Sequence, residues 1–77
     1  MRERERERER YLTILKKLAQ KRAEAGFTQY DIAEILGLTE SGYFKIETGK
    51  TKLDLERLLI ILNKLDISLE KFFKGFK

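Results

Sequence analysis

The sequence has no cysteine, proline, histidine or tryptophan. Without cysteine there are no disulfides to staple a small core and no thiolate nucleophile. Without histidine, the commonest metal ligand and the usual neutral-pH general base are both missing. These absences point away from hydrolytic and metal-dependent chemistry, and neither a cofactor nor a metal is expected. No apolar run approaches the ~20 residues that cross a membrane, and the first ten residues carry charge where a secretory leader carries an apolar segment. A soluble, cytoplasmic chain without a membrane partner is expected. Strand signals are also missing, because no stretch alternates apolar and polar residues between turn residues. The 77 residues suffice for one domain. Lys and Arg number 17 against 13 Asp and Glu, a net +4, and this mild surplus is compatible with nucleic acid without being diagnostic of it.

The chain divides at residue 10. Residues 1–10 are Met1 followed by alternating Arg and Glu, a segment with no apolar side chain beyond Met1 to bury and no core of its own. It is expected to extend the first helix and to fray toward Met1. Residues 11–77 hold the domain. From Tyr11, the residues Ile14, Leu15, Leu18, Arg22 and Ala25 recur at helical spacing until Gly26 interrupts them. Thr28 caps a second helix that carries Ile32, Ala33 and Leu36 on one face and stops at Gly37. Thr39 caps a third, from Glu40 to about Thr48, with Tyr43, Ile46 and Glu47 inward and Gly49 as its stop. Asp54 caps a fourth, in which Leu55, Leu58, Leu59, Leu62 and Leu65 follow a 3.6-residue period widened by Ile60 and Ile61. Ser68 caps a short fifth helix containing Leu69, Phe72 and Phe73.

The second and third helices are joined only by Gly37, Leu38 and Thr39, which forces a sharp crossing rather than a parallel hairpin. Ala33 supplies a small side chain at the close approach, Gly37 takes positive φ, and Leu38 and Tyr43 plug the angle. A helix held this way projects its N-terminal turn, here Thr39, Glu40, Ser41 and Gly42, where free backbone N–H groups and short polar side chains meet a phosphate or a base edge.

These residues resemble the phage-repressor and Cro type of helix-turn-helix proteins, the Xre-like family, over about Ile14 to Phe73. The resemblance is carried by Gly26-Phe27-Thr28-Gln29, Ile32-Ala33, Leu36-Gly37-Leu38-Thr39, Ile46-Glu47-Thr48-Gly49-Lys50 and Leu55 through Leu58. It implies an all-α, compact five-helix lambda-repressor-like DNA-binding domain and a sequence-specific transcriptional regulator, a repressor that binds a pseudo-palindromic operator as a homodimer. It implies base reading by Glu40, Ser41 and Lys45, and backbone contacts by Thr28, Gln29, Thr39, Thr48, Lys50, Thr51 and Lys52. It also implies a partly buried pair between Arg22 and Glu47, each of which lies on the apolar face of its helix. Three residues depart from the pattern. Glu40 is acidic where the family often has Gln, Arg or Ser, so it either accepts from a cytosine N4 amino group or is repelled by phosphate. Phe44 is aromatic where the family usually carries a polar residue, and Leu53 replaces the usual loop proline.

Aromatic residues at helical spacing are more often core than stacking platforms for single strands. Leu69, Phe72, Phe73 and Phe76 present more apolar surface than one short helix buries, and a homodimer face with Phe76 crossing to the partner is expected there. Ile35 and Phe44 are apolar on faces expected to be exposed, and they are either isolated surface residues or a protein-partner patch. The alternative function is therefore a protein-interaction module, antitoxin-like or adaptor-like, on the same scaffold. The carboxylates Glu24, Asp31 and Glu34 sit on polar faces with no phosphate loop or metal spacing near them, and no enzyme is expected.

Overall fold

A computed structural model describes residues 2–76, which form five α-helices: α1 (Arg2–Glu24), α2 (Gln29–Leu36), α3 (Glu40–Glu47), α4 (Leu55–Leu65) and α5 (Leu69–Phe73). The expected fraying toward Met1 lies outside the described residues. Among those residues no helix is long and apolar enough to cross a membrane.

The boundaries follow from local chemistry. Thr28, Thr39, Asp54 and Ser68 all sit in extended backbone, and each side-chain oxygen accepts the amide of the residue three positions on. At α2 the cap is reciprocal, with Thr28 N donating to Asp31 Oδ2 at 2.8 Å. Bonding to the Thr28 backbone, then to its side chain, holds the Asp31 carboxyl below its ordinary pKa. Gly37 closes α2 at φ +71°, a left-handed conformation that costs a residue with a Cβ roughly 1–2 kcal/mol.

The core contains Leu18, Ile32, Ala33, Tyr43, Ile46, Leu58, Ile61, Leu62, Leu65 and Phe72, with Leu36 and Leu38 packed against it from the turn between α2 and α3. Tyr43 is thus a core residue. Two expectations need correction. In α4, Leu58, Ile61, Leu62 and Leu65 are buried while Leu55, Leu59 and Ile60 face solvent, because the face turned to the core, where α2 packs on α4, is rotated from the one the leucine spacing suggests. In α5, Phe72 is fully buried within its own domain, so it is unavailable to a partner unless the fold opens. Phe76 is half-buried, its ring 6.3 Å from Phe72 and 5.7 Å from Phe73 between centroids, with the Lys17 ammonium 4.8 Å away.

Lys17 also clamps the chain end, its Nζ donating to the Phe72 carbonyl at 2.6 Å. At the other end of α1 the Tyr11 hydroxyl accepts the Leu53 amide at 2.8 Å. α1 is therefore the strut to which both the α3–α4 loop and α5 are fastened, and it runs without a break through residue 10.

Candidate nucleic-acid interface

α3 turns one side inward through Tyr43 and Ile46 and leaves Glu40, Ser41, Phe44 and Lys45 exposed. Four-residue spacing places Glu40 with Phe44 and Ser41 with Lys45 in adjacent rows. Gln29, Thr39, Glu40, Ser41 and Phe44 line a shallow concavity at the N-terminal ends of α2 and α3. Thr39 Oγ1 accepts the Gly42 amide at 3.0 Å and lies 3.3 Å from Ser41 Oγ. The amides of Glu40 and Ser41, in the first turn of α3, have no intrahelical acceptor and point outward with the positive end of the helix dipole.

The orientation of α3 is set from behind. Arg22 Nε donates to Glu47 Oε2 at 2.6 Å, Arg22 Nη2 donates to Glu47 Oε1 at 3.2 Å, and the two side chains are only 14% and 4% exposed. Arg22 Nη1 donates to the Phe27 carbonyl at 2.7 Å, and Gln29 Nε2 donates to Glu47 Oε1 at 3.0 Å. One carboxylate thus joins α1, α2 and α3. Burial alone pushes the Glu47 carboxyl up. The bonds from Arg22 and Gln29, the nearby Tyr43 and the Arg22 charge outweigh it and hold the group below the ordinary carboxylate range. Hydrogen bonding to Glu47 raises Arg22 in turn. The Tyr43 hydroxyl is buried beside this pair without a hydrogen-bond partner. Burial, then the neighbouring carboxylate, pushes it far above the ordinary phenol range.

Where α3 ends, the chain curls back. The amides of Lys50 and Thr51 both donate to the Lys45 carbonyl, at 2.8 and 3.0 Å, and the Thr48 hydroxyl donates to the Phe44 carbonyl at 2.8 Å. A phosphate offers only acceptors, so these three donors are unavailable to it in this conformation. Lys50, Lys52 and the Thr51 hydroxyl, all on exposed residues, are the donors of this loop left for a phosphate in this conformation. Gln29 keeps one N–H beyond its bond to Glu47. Thr28, whose oxygen accepts the Asp31 amide at 3.1 Å, keeps its hydroxyl proton.

Sequence reasoning missed Gly49. Its φ is +83°, and a Cβ there would lie 2.8 Å from Leu12 Cδ2 and 3.2 Å from Arg8 Nη2. The α3–α4 loop therefore rests directly on α1 through a residue without a side chain. The signal was present only as a glycine after α3, which read as a helix stop.

A family model described as Helix-turn-helix matches residues 18–72. The chain belongs to the Xre-like helix-turn-helix family. Two relatives from Bacillus subtilis (strain 168) match over 54 residues, 70% of this chain. The SPbeta prophage-derived uncharacterized HTH-type transcriptional regulator YonR is 39% identical over 50% of its length. The uncharacterized HTH-type transcriptional regulator YqaE is 37% identical over 47% of its length. The chain thus spans about half the length of the curated relatives it matches. No solved structure matches it. The matched segment begins at Leu18, so the Arg-Glu repeat lies outside it.

Proposed function

We propose that this chain is a sequence-specific duplex-DNA-binding transcriptional regulator, not an enzyme, and that it represses by occluding a promoter. The observation that carries the reading is the exposed row of Glu40, Ser41 and Lys45 on a helix braced by the Arg22–Glu47 pair. The names of the two relatives agree with it. α3 enters the major groove, Ser41 and Lys45 meet base edges, and Glu40 accepts from a cytosine N4 amino group. Phe44 supplies an apolar contact suited to a thymine methyl. Lys50, Thr51 and Lys52 hold the flanking phosphates, with Thr28, Gln29 and Thr39 at the helix N-termini.

The operator is pseudo-palindromic, with half-sites about 34 Å apart to match a homodimer. Leu69, Phe73 and Phe76 are the parts of the expected dimer face that remain accessible, and exposed Leu55, Leu59 and Ile60 on α4 offer a second apolar surface. Sedimentation of Phe76→Asp and Leu59→Asp variants separates the two. The variant that lowers the mass identifies the face, and unchanged mass in both counts against the dimer.

The reading is tested by selecting sites from random duplex DNA and measuring affinity on selected and random sequences. Ser41→Ala and Lys45→Ala are expected to relax preference by ~1–3 kcal/mol at the bases they read, while Lys50→Ala and Lys52→Ala weaken all sequences alike. Equal losses for all four variants on both kinds of DNA contradict the assignment of readers. The alternative, an antitoxin-like or adaptor-like module, draws on the exposure of Ile35 and Phe44, 41% and 45%. It calls for binding to a protein that is insensitive to salt, whereas phosphate contacts weaken steeply with ionic strength.

A further inference from the structure

The Arg-Glu alternation of residues 2–10 has no sidedness as written, but a helix advances about 100° per residue and sorts it into rows. Arg2, Arg6 and Arg10 fall in one row. Arg4 and Arg8 fall in another, roughly 180° away. The glutamates form two rows between them. The Arg4–Arg8 row continues along the helix into Tyr11, Leu15, Leu18 and Arg22, the side by which α1 meets the fold. A near-neutral repeat thereby presents a line of cations on its inner side.

That line has a counterpart. Arg8 Nη2 donates to the Gly49 carbonyl at 2.8 Å, and its guanidinium lies 5.5 Å from the Tyr11 ring centroid. Arg4, Glu7, Arg8, Tyr11, Lys52 and Leu53 line one groove of ≈ 350 Å³. Glu7 is the only carboxylate on its wall, and Arg10 Nη1 already neutralises it with bonds of 3.1 Å to each oxygen. Among the described residues the head groups of Arg4 and Lys52 make no hydrogen bond or ion pair. The groove thus has two uncommitted cations in its lining, and one of them belongs to the loop assigned above to phosphate.

We infer that this groove is a second DNA-backbone site, in which Arg4 of α1 and Lys52 of the α3–α4 loop together hold a phosphate beyond the bases beneath α3. The inference rests on the duplex-DNA reading above and extends that interface onto the charged repeat. The outward row of Arg2, Arg6 and Arg10 takes no part. The repeat then has a purpose that composition conceals, since its glutamates keep the segment near neutral while its inner row meets the polyanion.

The experiment compares binding to a random-sequence duplex of about three helical turns as salt is varied. Arg4→Gln and Arg6→Gln remove the same charge from the same helix, so any long-range effect cancels between them. Arg4→Gln and Lys52→Gln are each expected to lower the log–log salt slope by about 0.9 and to weaken binding several-fold at low salt. Arg6→Gln leaves both at the parent value, and Arg4→Lys keeps the parent slope because a point charge suffices for phosphate. Thermal melts of all four establish that the fold is retained. Identical slopes for Arg4→Gln and Arg6→Gln, with the parent still binding duplex DNA in a salt-dependent manner, overturn this site alone. A parent chain that binds no duplex overturns the DNA reading and this site with it.

Discussion

The two halves of α1 are one unbroken helix built on different principles. Residues 11–24 bury Leu15 and Leu18 and end in the Arg22–Glu47 pair, so their helix is dictated by what it packs against. Residues 2–10 are exposed throughout, and among the described residues Arg8 makes their one side-chain hydrogen bond to another element. Their local chemistry barely favours helix. Oppositely charged residues three apart attract and like charges four apart repel, each by ~0.2–0.5 kcal/mol, and the two nearly cancel. Arg and Glu are intrinsically good helix formers, and the packed half removes the nucleation cost. A segment without a core thus takes its structure from a neighbour that has one, and the side it presents is set by the neighbour's phase.

The strongest way to break this contrast is at the packed half. Glu47→Ala leaves Arg22 partly buried without its carboxylate and is expected to cost about 3 kcal/mol, a large share of the stability of so small a domain. An unchanged urea midpoint would show the pair to be unimportant. The same carboxylate makes stability depend on acid. Because the folded state holds Glu47 below its ordinary pKa, its contribution is complete above about pH 4.3, the unfolded value, and is lost as pH falls through the lower folded value. The urea midpoint should therefore fall more steeply below that pH in the parent than in Glu47→Gln. Parallel acid profiles would remove Glu47 as the cause.

Gly49→Ala acts where the two halves meet. It places a Cβ against Leu12 and Arg8 at positive φ and should cost about 2 kcal/mol, mostly from the backbone, since both side chains can shift. Arg8→Ala removes one part-buried hydrogen bond and should cost about 1 kcal/mol. A change indistinguishable from zero would make the repeat fully independent of the domain. Deleting residues 2–7, which leaves Arg8 in place, should alter the thermal midpoint by the equivalent of less than about 0.5 kcal/mol, since exposed ion pairs contribute little. A larger loss would mean that the repeat stabilises the domain directly.

Much of this molecule is legible in its sequence because short-range chemistry specifies it. Thr28, Gly37, Thr39, Asp54 and Ser68 mark helix ends through caps and a positive φ that act within four residues. Arg22 and Glu47 mark each other as charges on apolar faces. What is illegible depends on partners distant in the chain. α4 carries Leu or Ile at seven of its eleven positions, so periodicity does not select which face is buried. Only the packing of the rest of the core onto α4, α2 included, decides that Ile61 goes in and that Leu55, 68% exposed, stays out. Phe72, Phe73 and Phe76 are chemically alike, and which ring fills the core depends on the angle at which α5 docks. The engagement of the Thr48 hydroxyl and the Lys50 and Thr51 amides with carbonyls of α3 follows from the curl of backbone after that helix, which no residue type announces.

Amide chemical shifts of the full chain, recorded while a duplex carrying a selected site is added, test most directly whether α3 and its loop form a DNA-reading surface. The largest changes are expected at Thr39 to Lys45 and at Lys50 to Lys52, growing with added duplex and reversed by salt. Changes confined to Ile35, Leu59 and Leu69, or an α3 that remains silent while DNA binds elsewhere, would contradict it.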